Sequence, residues 1–263
     1  MTSDLSMENL LNHCNRLWIF GYGSLCWKPG FQYSSRKLGF IRGYSRRFWQ
    51  GNATHRGTPN NPGRVATLVK DEMNSVWGVA YELVGHAQIE QALKHCSHRE
   101  LELGGYIVKI QPFQIKNSTN VIPVLVYMAT PANQHYLGPA SIDALAEQVT
   151  NSEGPSGHNI EYVCRLADWA RHECPEENDQ HLLQLDEKIR QICQERKICM
   201  RTAMGPDPTP LSQYHRKKCH QAERLRASLI MASLKQSHYR KHKTLHIEQN
   251  YEISSKTIST NAK

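Results

Sequence analysis

The segment 19–25, Ile-Phe-Gly-Tyr-Gly-Ser-Leu, combines residue types that can hold an anion. Its apolar, aromatic start is typical of a β-strand, and the strand stops at Gly21 and Gly23, which flank Tyr22. Glycine permits close approach of a ligand to the backbone, and consecutive N–H groups after a strand form a concave anion-binding nest. The segment therefore predicts a cradle for a carboxylate or a phosphate. Taken alone, it favours the simpler interpretation of a tight turn in which the glycines serve only the bend.

The surroundings of this cradle argue against nucleotides. A dinucleotide-binding fingerprint needs a third glycine that opens a helix, but that position is Cys26, and the following Trp-Lys-Pro-Gly predicts a turn. A phosphate-binding P-loop needs Gly-Lys-Ser/Thr after the glycines, and this sequence does not follow here. These exclusions remove two nucleotide-binding patterns and do not by themselves identify the anion.

A second group of residues could move protons. The segment 99–106, Arg-Glu-Leu-Glu-Leu-Gly-Gly-Tyr, follows a predicted helix, and the paired glycines mark the helix end. A carboxylate there faces the negative end of the helix dipole, which raises its pKa and suits it to act as a general base near neutral pH. Glu100 and Glu102 both stand in this position. A solvated glutamate paired with Arg99 is the alternative, and it is the preferred interpretation for Glu102.

Other candidate residues leave alternatives open. Arg46 and Arg47 lie in a predicted strand, so their side chains point to opposite faces and only one of them can meet an anionic ligand. Tyr162 either presents its hydroxyl or packs. His95 and His98 form the one sensible metal-binding pair within their helix, but a third ligand is not evident. A Cys–His nucleophile also stays open.

The eight cysteines are spread without a Cys-x-x-Cys pair, so a zinc site is not indicated. The first residues lack the features of a signal peptide, and the apolar stretches are too short for a membrane span. We therefore expect reduced thiols and a cytosolic protein. We also expect a site without a metal and without a cofactor.

The positive charge is concentrated near the C-terminus. Of the 263 residues, 196–263 contain 14 Lys and Arg against 4 Asp and Glu, although the whole chain carries a net charge of only +8. The prolines of 200–210 predict a linker, 211–234 a basic helix, and 235–263 a disordered tail. Such a tail could contact acidic partners, and a non-catalytic protein that binds nucleic acid or acidic membranes through it is one alternative function.

The remaining patterns predict an α+β fold, because strands dominate the first half and helices the second. Val-rich and aromatic runs indicate the strands, and apolar residues at helical spacing indicate the helices. The predicted strands cover 17–25, 38–49, 64–69, 76–83, 106–110 and 121–129, with a hairpin around 71–74. The predicted helices cover 87–98, 141–149, 159–171 and 177–194, and Asn159 is predicted as an N-cap.

Several motifs together resemble one family, the ChaC-type glutathione-specific γ-glutamylcyclotransferases. They occur in the family's order over roughly residues 17–195, and as an ordered set they are highly specific. The motifs are Phe-Gly-Tyr-Gly-Ser-Leu (20–25), Tyr-Ser-Arg-Arg-Phe-Trp-Gln-Gly (44–51), His-Arg-Gly (55–57), Pro-Gly-Arg-Val (62–65), Trp-Gly-Val-Ala-Tyr (77–81), Arg-Glu followed by Leu-Gly-Gly-Tyr (99–106), Tyr-Leu-Gly-Pro-Ala (136–140) and Gly-Pro-Ser-Gly (154–157).

The resemblance implies a γ-glutamylcyclotransferase fold, a compact mixed β-barrel with surrounding helices, followed by a basic C-terminal extension. It implies an N-terminal extension over 1–16, a catalytic domain over 17–198 and a tail over 199–263. The implied activity is cleavage of glutathione to 5-oxoproline and cysteinylglycine; other γ-glutamyl peptides or amines are the alternative substrates. Glu100 matches the catalytic glutamate. The implied substrate-binding residues are Gly21, Tyr22, Gly23, Ser24, Leu25, Cys26, Arg46 and Tyr162.

Overall fold

Five strands form a closed barrel in the order β1-β3-β2-β4-β5. A computed structural model describes residues 15–96 and 106–206. The strands are β1 (Arg16–Gly21), β2 (Ser35–Asn52), β3 (Gly63–Val84), β4 (Ile107–Ile115) and β5 (Val121–Met128). Neighbouring strands pair antiparallel, except that β1 runs parallel to β5 and closes the barrel by pairing Ile19 with Leu125. The predicted mixed β-barrel is confirmed.

The barrel is held together by apolar side chains from every strand. Ile19, Val79 and Leu125 are almost completely buried, and the rings of Phe20 and Phe113 lie 5.5 Å apart. Burial of a side chain of this size contributes about 1.5–3 kcal/mol. The end of β1 is therefore fixed firmly, which matters because the predicted anion cradle begins at the next residue.

The hairpin predicted around 71–74 is wrong. β3 continues through these residues as one strand, and the hairpin loop between β2 and β3 is 53–62 instead. The pairing moves from Arg42 opposite Ser75 to Tyr44 opposite Lys70, so residues 71–74 form a bulge opposite Gly43. The side chain of Asp71 stabilises the bulge by accepting hydrogen bonds from Ser45 and Asn74, both of 2.6 Å.

Within residues 15–96 and 106–206, five α-helices follow or interrupt the strands. They are α1 (His86–Cys96), α2 (Ile142–Asn151), α3 (Asn159–Glu173), α4 (Gln180–Glu195) and α5 (Met200–Met204). The first four confirm the predicted helices, whereas α5 occupies part of the predicted linker 200–210. A short two-stranded sheet of β6 (Glu153–Gly154) and β7 (Gly157–His158) precedes α3.

The start of α3 differs from the prediction. His158 is the N-cap, and its Nδ1 accepts from the amide of Ile160. Asn159 instead reaches β3, where it accepts from the amide of Arg64 at 2.6 Å and donates to the Arg64 carbonyl at 2.9 Å. This pair of bonds anchors α3 against the barrel wall.

Helices α3 and α4 are joined by an ionic cluster. Asp186 of α4 is fully buried and accepts from Arg171 at 2.6 Å and from Arg190 at 2.9 Å.

No helix of the described residues is long and apolar enough to cross a membrane. The N-terminal extension as far as residue 14, Glu100, Glu102 and the predicted helix and tail beyond residue 206 lie outside the described residues.

Candidate active site

A cavity of about 280 Å³ opens beside the C-terminal end of β1. Its walls come from the segment after β1, the β2–β3 loop, the end of α1 and the first turn of α3. The lining residues are Phe20, Gly21, Tyr22, Gly23, Ser24, Leu25, Trp27, Lys28, Asn52, His55, Arg56, Val65, Ala66, His95, Tyr106, Tyr127, Ser156 and Tyr162. The predicted cradle therefore forms one wall of a cavity, as a ligand-binding segment must.

The cradle is a short 3-10 helix, Ser24–Cys26, that turns the chain away from the barrel. Its hydrogen bonds run from the amide of Cys26 to the Gly23 carbonyl at 2.9 Å and from the amide of Lys28 to the Ser24 carbonyl at 2.8 Å. The amides of Gly23 and Leu25 are not used by these bonds. The turn thus gives the cradle a fixed backbone beside the cavity.

Three side chains hold the cradle in place. The Tyr22 hydroxyl donates to the Tyr127 carbonyl at 2.7 Å, and the Tyr81 hydroxyl donates to the Leu25 carbonyl at 2.7 Å. The Cys26 thiol donates to the Gly21 carbonyl at 3.3 Å. Burial raises the pKa of Tyr81 well above its usual value, so this hydroxyl keeps its proton and remains a donor.

Close packing explains both glycines of the motif. A Cβ at Gly21 would lie 2.5 Å from Leu25 Cβ, and a Cβ at Gly23 would lie 2.6 Å from Tyr162 Oη. Neither residue has a positive φ. The glycines are therefore needed for close approach inside the protein, and the interpretation that they serve only the bend is wrong.

Tyr162 stands at the centre of the cavity wall. Its hydroxyl oxygen accepts from the buried amide of Ala66 at 3.1 Å, and its ring packs edge-on against Trp27 at 5.6 Å. The ring also lies edge-on to Phe48, at a centroid distance of 6.3 Å. Tyr162 therefore packs and also lines the cavity, and a contact between its hydroxyl and a substrate stays a prediction.

A second wall comes from the β2–β3 loop. The Asn52 carboxamide oxygen accepts from the amides of His55 and Arg56 at 2.8 and 2.7 Å, which shapes the loop. The Arg56 guanidinium then donates to Glu161 of α3 at 2.6 Å and to the His158 carbonyl at 3.1 Å. The loop is thereby tied to the same helix that carries Tyr162.

The cavity lining includes described residues on either side of the segment 97–105, which itself lies outside the described residues. His95, in the last turn of α1, and Tyr106, just before β4, both line the cavity. The role of Glu100 as the catalytic base stays a prediction. Within the residues that the structure describes, no group of His, Cys, Asp and Glu side chains could hold a metal ion.

The comparisons with known proteins agree with this geometry. A model of the ChaC-like protein family matches residues 17–192. This chain belongs to the ChaC-like family. The zebrafish (Danio rerio) glutathione-specific γ-glutamylcyclotransferase 1 is 49% identical over 172 residues, which is 65% of this chain and 87% of the relative. The human protein of the same name is 50% identical over 167 residues, which is 63% of this chain and 75% of the relative.

A solved structure has the same fold as this ChaC-like chain. The crystal structure of a yeast γ-glutamyl cyclotransferase specific to glutathione superposes with a TM-score of 0.62 at 28% sequence identity. The superposition covers 68% of this chain and 97% of the yeast protein. The barrel with its surrounding helices is thus the γ-glutamyl cyclotransferase fold.

Two predicted substrate-binding residues of the ChaC-like chain do not line the cavity. Cys26, the last residue of the 3-10 turn, is buried, and burial raises the pKa of its thiol far above the usual value, so the thiol is protonated. Arg46 is 1% exposed and lines a different cavity. Its guanidinium donates to Asp179 at 2.9 Å, to Glu177 at 3.4 Å and to the Trp77 carbonyl at 2.6 Å. Substrate contacts of Cys26 and Arg46 stay predictions.

The residue assignments from the sequence omitted several cavity-lining residues of this ChaC-like chain. Trp27 and Lys28 continue the cradle but were assigned to a plain turn. Tyr127 and His95 lie near the ends of a strand and a helix that were predicted. Their positions at element ends beside the cavity are the only signal that could have marked them.

Proposed function

We propose that this chain cleaves glutathione to 5-oxoproline and cysteinylglycine. The observation that carries the proposal is that residues 21–25 and Tyr162 line the same cavity in a ChaC-like chain. The relatives that are 49% and 50% identical in sequence are both named glutathione-specific γ-glutamylcyclotransferase 1. A cavity of 280 Å³ with aromatic walls and convergent polar groups suits a small peptide.

The reaction needs no nucleophile from the protein. The α-amine of the substrate attacks its own γ-carbonyl carbon, a five-membered lactam forms, and the bond to the cysteine nitrogen breaks. Cys26 therefore has no covalent role, in agreement with its buried and protonated thiol. The protein has to fold the γ-glutamyl chain back on itself, and such positioning contributes up to about 7–11 kcal/mol in well-oriented cases.

The cradle after β1 is the element that we assign to positioning. The amides of Gly23 and Leu25 would bind the α-carboxylate of the substrate or the oxyanion that develops on the γ-carbonyl oxygen. Ser24 acts as a hydrogen-bond donor in this scheme, and Tyr162 bounds the space in which the ring closes. The bonds from Tyr22 and Tyr81 keep these groups fixed while the charge develops.

Glu100 is the proton carrier in this proposal. A free α-amine has a pKa of about 7.7–8.0, so much of it is protonated at neutral pH and must lose a proton before it attacks. A carboxylate with a raised pKa accepts that proton and then donates it to the leaving cysteine nitrogen. One residue thus serves as base and then as acid.

Replacement of Glu100 by glutamine tests the assignment. We expect Glu100→Gln to fold normally and to lose at least about a hundredfold in kcat, which is the usual contribution of a general base. Glu102→Gln is the matched control and should retain activity, measured as 5-oxoproline and cysteinylglycine released from glutathione. Near-normal turnover by Glu100→Gln, or a larger loss in Glu102→Gln, would move the base to another residue.

Substrate range and cellular context belong to the same proposal. A panel of γ-glutamyl peptides and amines assayed beside glutathione measures how strictly the tripeptide is selected. We propose a cytosolic location, which the free thiols of Cys26, Cys164, Cys174, Cys193 and Cys199 support; cell fractionation tests it. Contact of the basic tail with acidic partners predicts binding that weakens steeply with added salt.

A further inference from the structure

Among the residues that the structure describes, two cationic side chains line the cavity, of which one forms an ion pair and the other does not. Lys28 and Arg56 bring positive charge to its lining, and no Asp or Glu is among its described lining residues. The charge of Arg56 is neutralised by Glu161 at 2.6 Å, and its side chain is 8% exposed. Lys28 is exposed and forms no ion pair with the other described residues. Lys28 is thus the cation that this wall offers to a ligand.

The backbone holds Lys28 close to the cradle. Its amide donates to the Ser24 carbonyl at 2.8 Å, and the turn Ser24–Cys26 ends immediately before Trp27. Pro29 follows and restricts the conformation of Lys28. The side chain therefore starts from a fixed point in the cavity lining, and Lys28 itself is exposed.

Glutathione has a matching group if the proposed function holds, and this inference rests on that function. Its γ-glutamyl end carries one carboxylate, and the departing cysteinylglycine ends in a second carboxylate on glycine. Two extended residues span at most about 7 Å. With the γ-glutamyl group in the cradle, the glycine carboxylate stays within the same cavity, whose lining includes Lys28.

We propose that the Lys28 ammonium binds the glycine carboxylate of glutathione and so selects the tripeptide. This contact lies away from the bond that breaks, and the same charge pair exists in the bound substrate and in the transition state. Such uniform binding lowers KM and leaves kcat unchanged. An accessible ion pair contributes up to about 1 kcal/mol, which corresponds to roughly a fivefold change in KM.

The test pairs a change in the protein with a change in the substrate. Wild type, Lys28→Met, Lys28→Arg and the control Lys37→Met are assayed with glutathione and with glutathione amide, in which a carboxamide replaces the glycine carboxylate. Lys37 is an exposed lysine of β2 that does not line the cavity. Steady-state rates of 5-oxoproline release give kcat and KM for every combination.

We expect Lys28→Met to raise KM for glutathione about fivefold, with kcat within twofold of wild type. The same substitution should leave KM for the amide within twofold, because the charge that Lys28 binds is already absent. Lys28→Arg should restore KM for glutathione, and Lys37→Met should match wild type with both substrates. An increase that Lys28→Met shows equally with glutathione and with the amide would assign Lys28 a structural role and overturn the proposal.

Unchanged kinetics of Lys28→Met with glutathione would overturn the proposal as well and would point to Arg56 as the cation. The proposed function fails separately, because then wild type would release no 5-oxoproline from glutathione. If wild type cleaves glutathione and Lys28→Met does so with the same kinetics, only the role of Lys28 is refuted.

Discussion

The contact between Gly23 and Tyr162 gives a quantitative prediction for the cradle. A methyl group in Gly23→Ala would lie 2.6 Å from Tyr162 Oη, whereas ordinary contacts begin near 3.4 Å. The hydroxyl must move by about 0.8 Å, which is enough to break its 3.1 Å hydrogen bond from the Ala66 amide. We therefore expect Gly23→Ala to lower the free energy of unfolding by about 2–4 kcal/mol, from overpacking and from a buried amide without a partner.

Removal of the hydroxyl should relieve part of this damage. Tyr162→Phe alone loses the bond to Ala66 and should cost about 1–2 kcal/mol. In the double variant Gly23→Ala/Tyr162→Phe, the new methyl group faces the ring carbon at 3.7 Å, which is an ordinary contact. The double variant should therefore be about as stable as Tyr162→Phe, and more stable than Gly23→Ala.

Urea unfolding of wild type and the three variants measures the coupling between the two sites. Because the double variant should match Tyr162→Phe, the coupling energy should equal the cost of Gly23→Ala alone, about 2–4 kcal/mol, at the upper end of the range for residues in contact. Additive destabilisation, with the double variant the least stable, would show that Gly23 and Tyr162 do not meet as described. In that case the explanation for the second glycine of the motif would be wrong.

Two further predictions concern α4. Burial lowers the pKa of His181 from 6.5 to about 4, and its Nε2 accepts from the amide of Phe48. The stability that neutral His181 contributes is present above pH 6.5 and should be lost as the pH falls towards 4. Urea midpoints measured across this range should fall less steeply in His181→Gln than in wild type. Asp186→Asn removes the charge between Arg171 and Arg190. It should lower the free energy of unfolding by about 2 kcal/mol in urea at pH 7, which is less than for a fully buried pair because both arginines reach solvent. A decrease below about 0.5 kcal/mol would contradict this account.

The local parts of the site could be predicted from the sequence. Residues 21–25 are neighbours along the chain, so the chemistry of the cradle is visible in their types and order. The α+β class and most elements were also predictable, because apolar periodicity reports on local structure. The hairpin prediction failed because polar residues 71–74 read as a turn, although the partner strand accommodates them as a bulge opposite Gly43.

The long-range parts could not be predicted. Strand alternation shows that Arg46 and Arg47 face opposite ways, but only the fold reveals that Arg46 meets Glu177, which is 131 positions away. The partner of the Gly23 backbone is likewise Tyr162, on a helix from the second half of the chain. Such contacts depend on how the elements pack against each other, and the spacing of residues along a single element does not predict this packing.

Closure of the barrel by β1 and β5 sets an order of events during biosynthesis. The Tyr22 hydroxyl and the Tyr127 carbonyl are 105 positions apart, so at roughly 5–20 residues per second the ribosome needs about 5–20 s to deliver the second after the first. Until then, β1 has no parallel partner and the segment after it has no far wall. A nascent chain of this protein therefore gains its cavity late, because β5 must close the barrel and Tyr162 of α3 must follow it. It should not bind a small peptide before both have emerged.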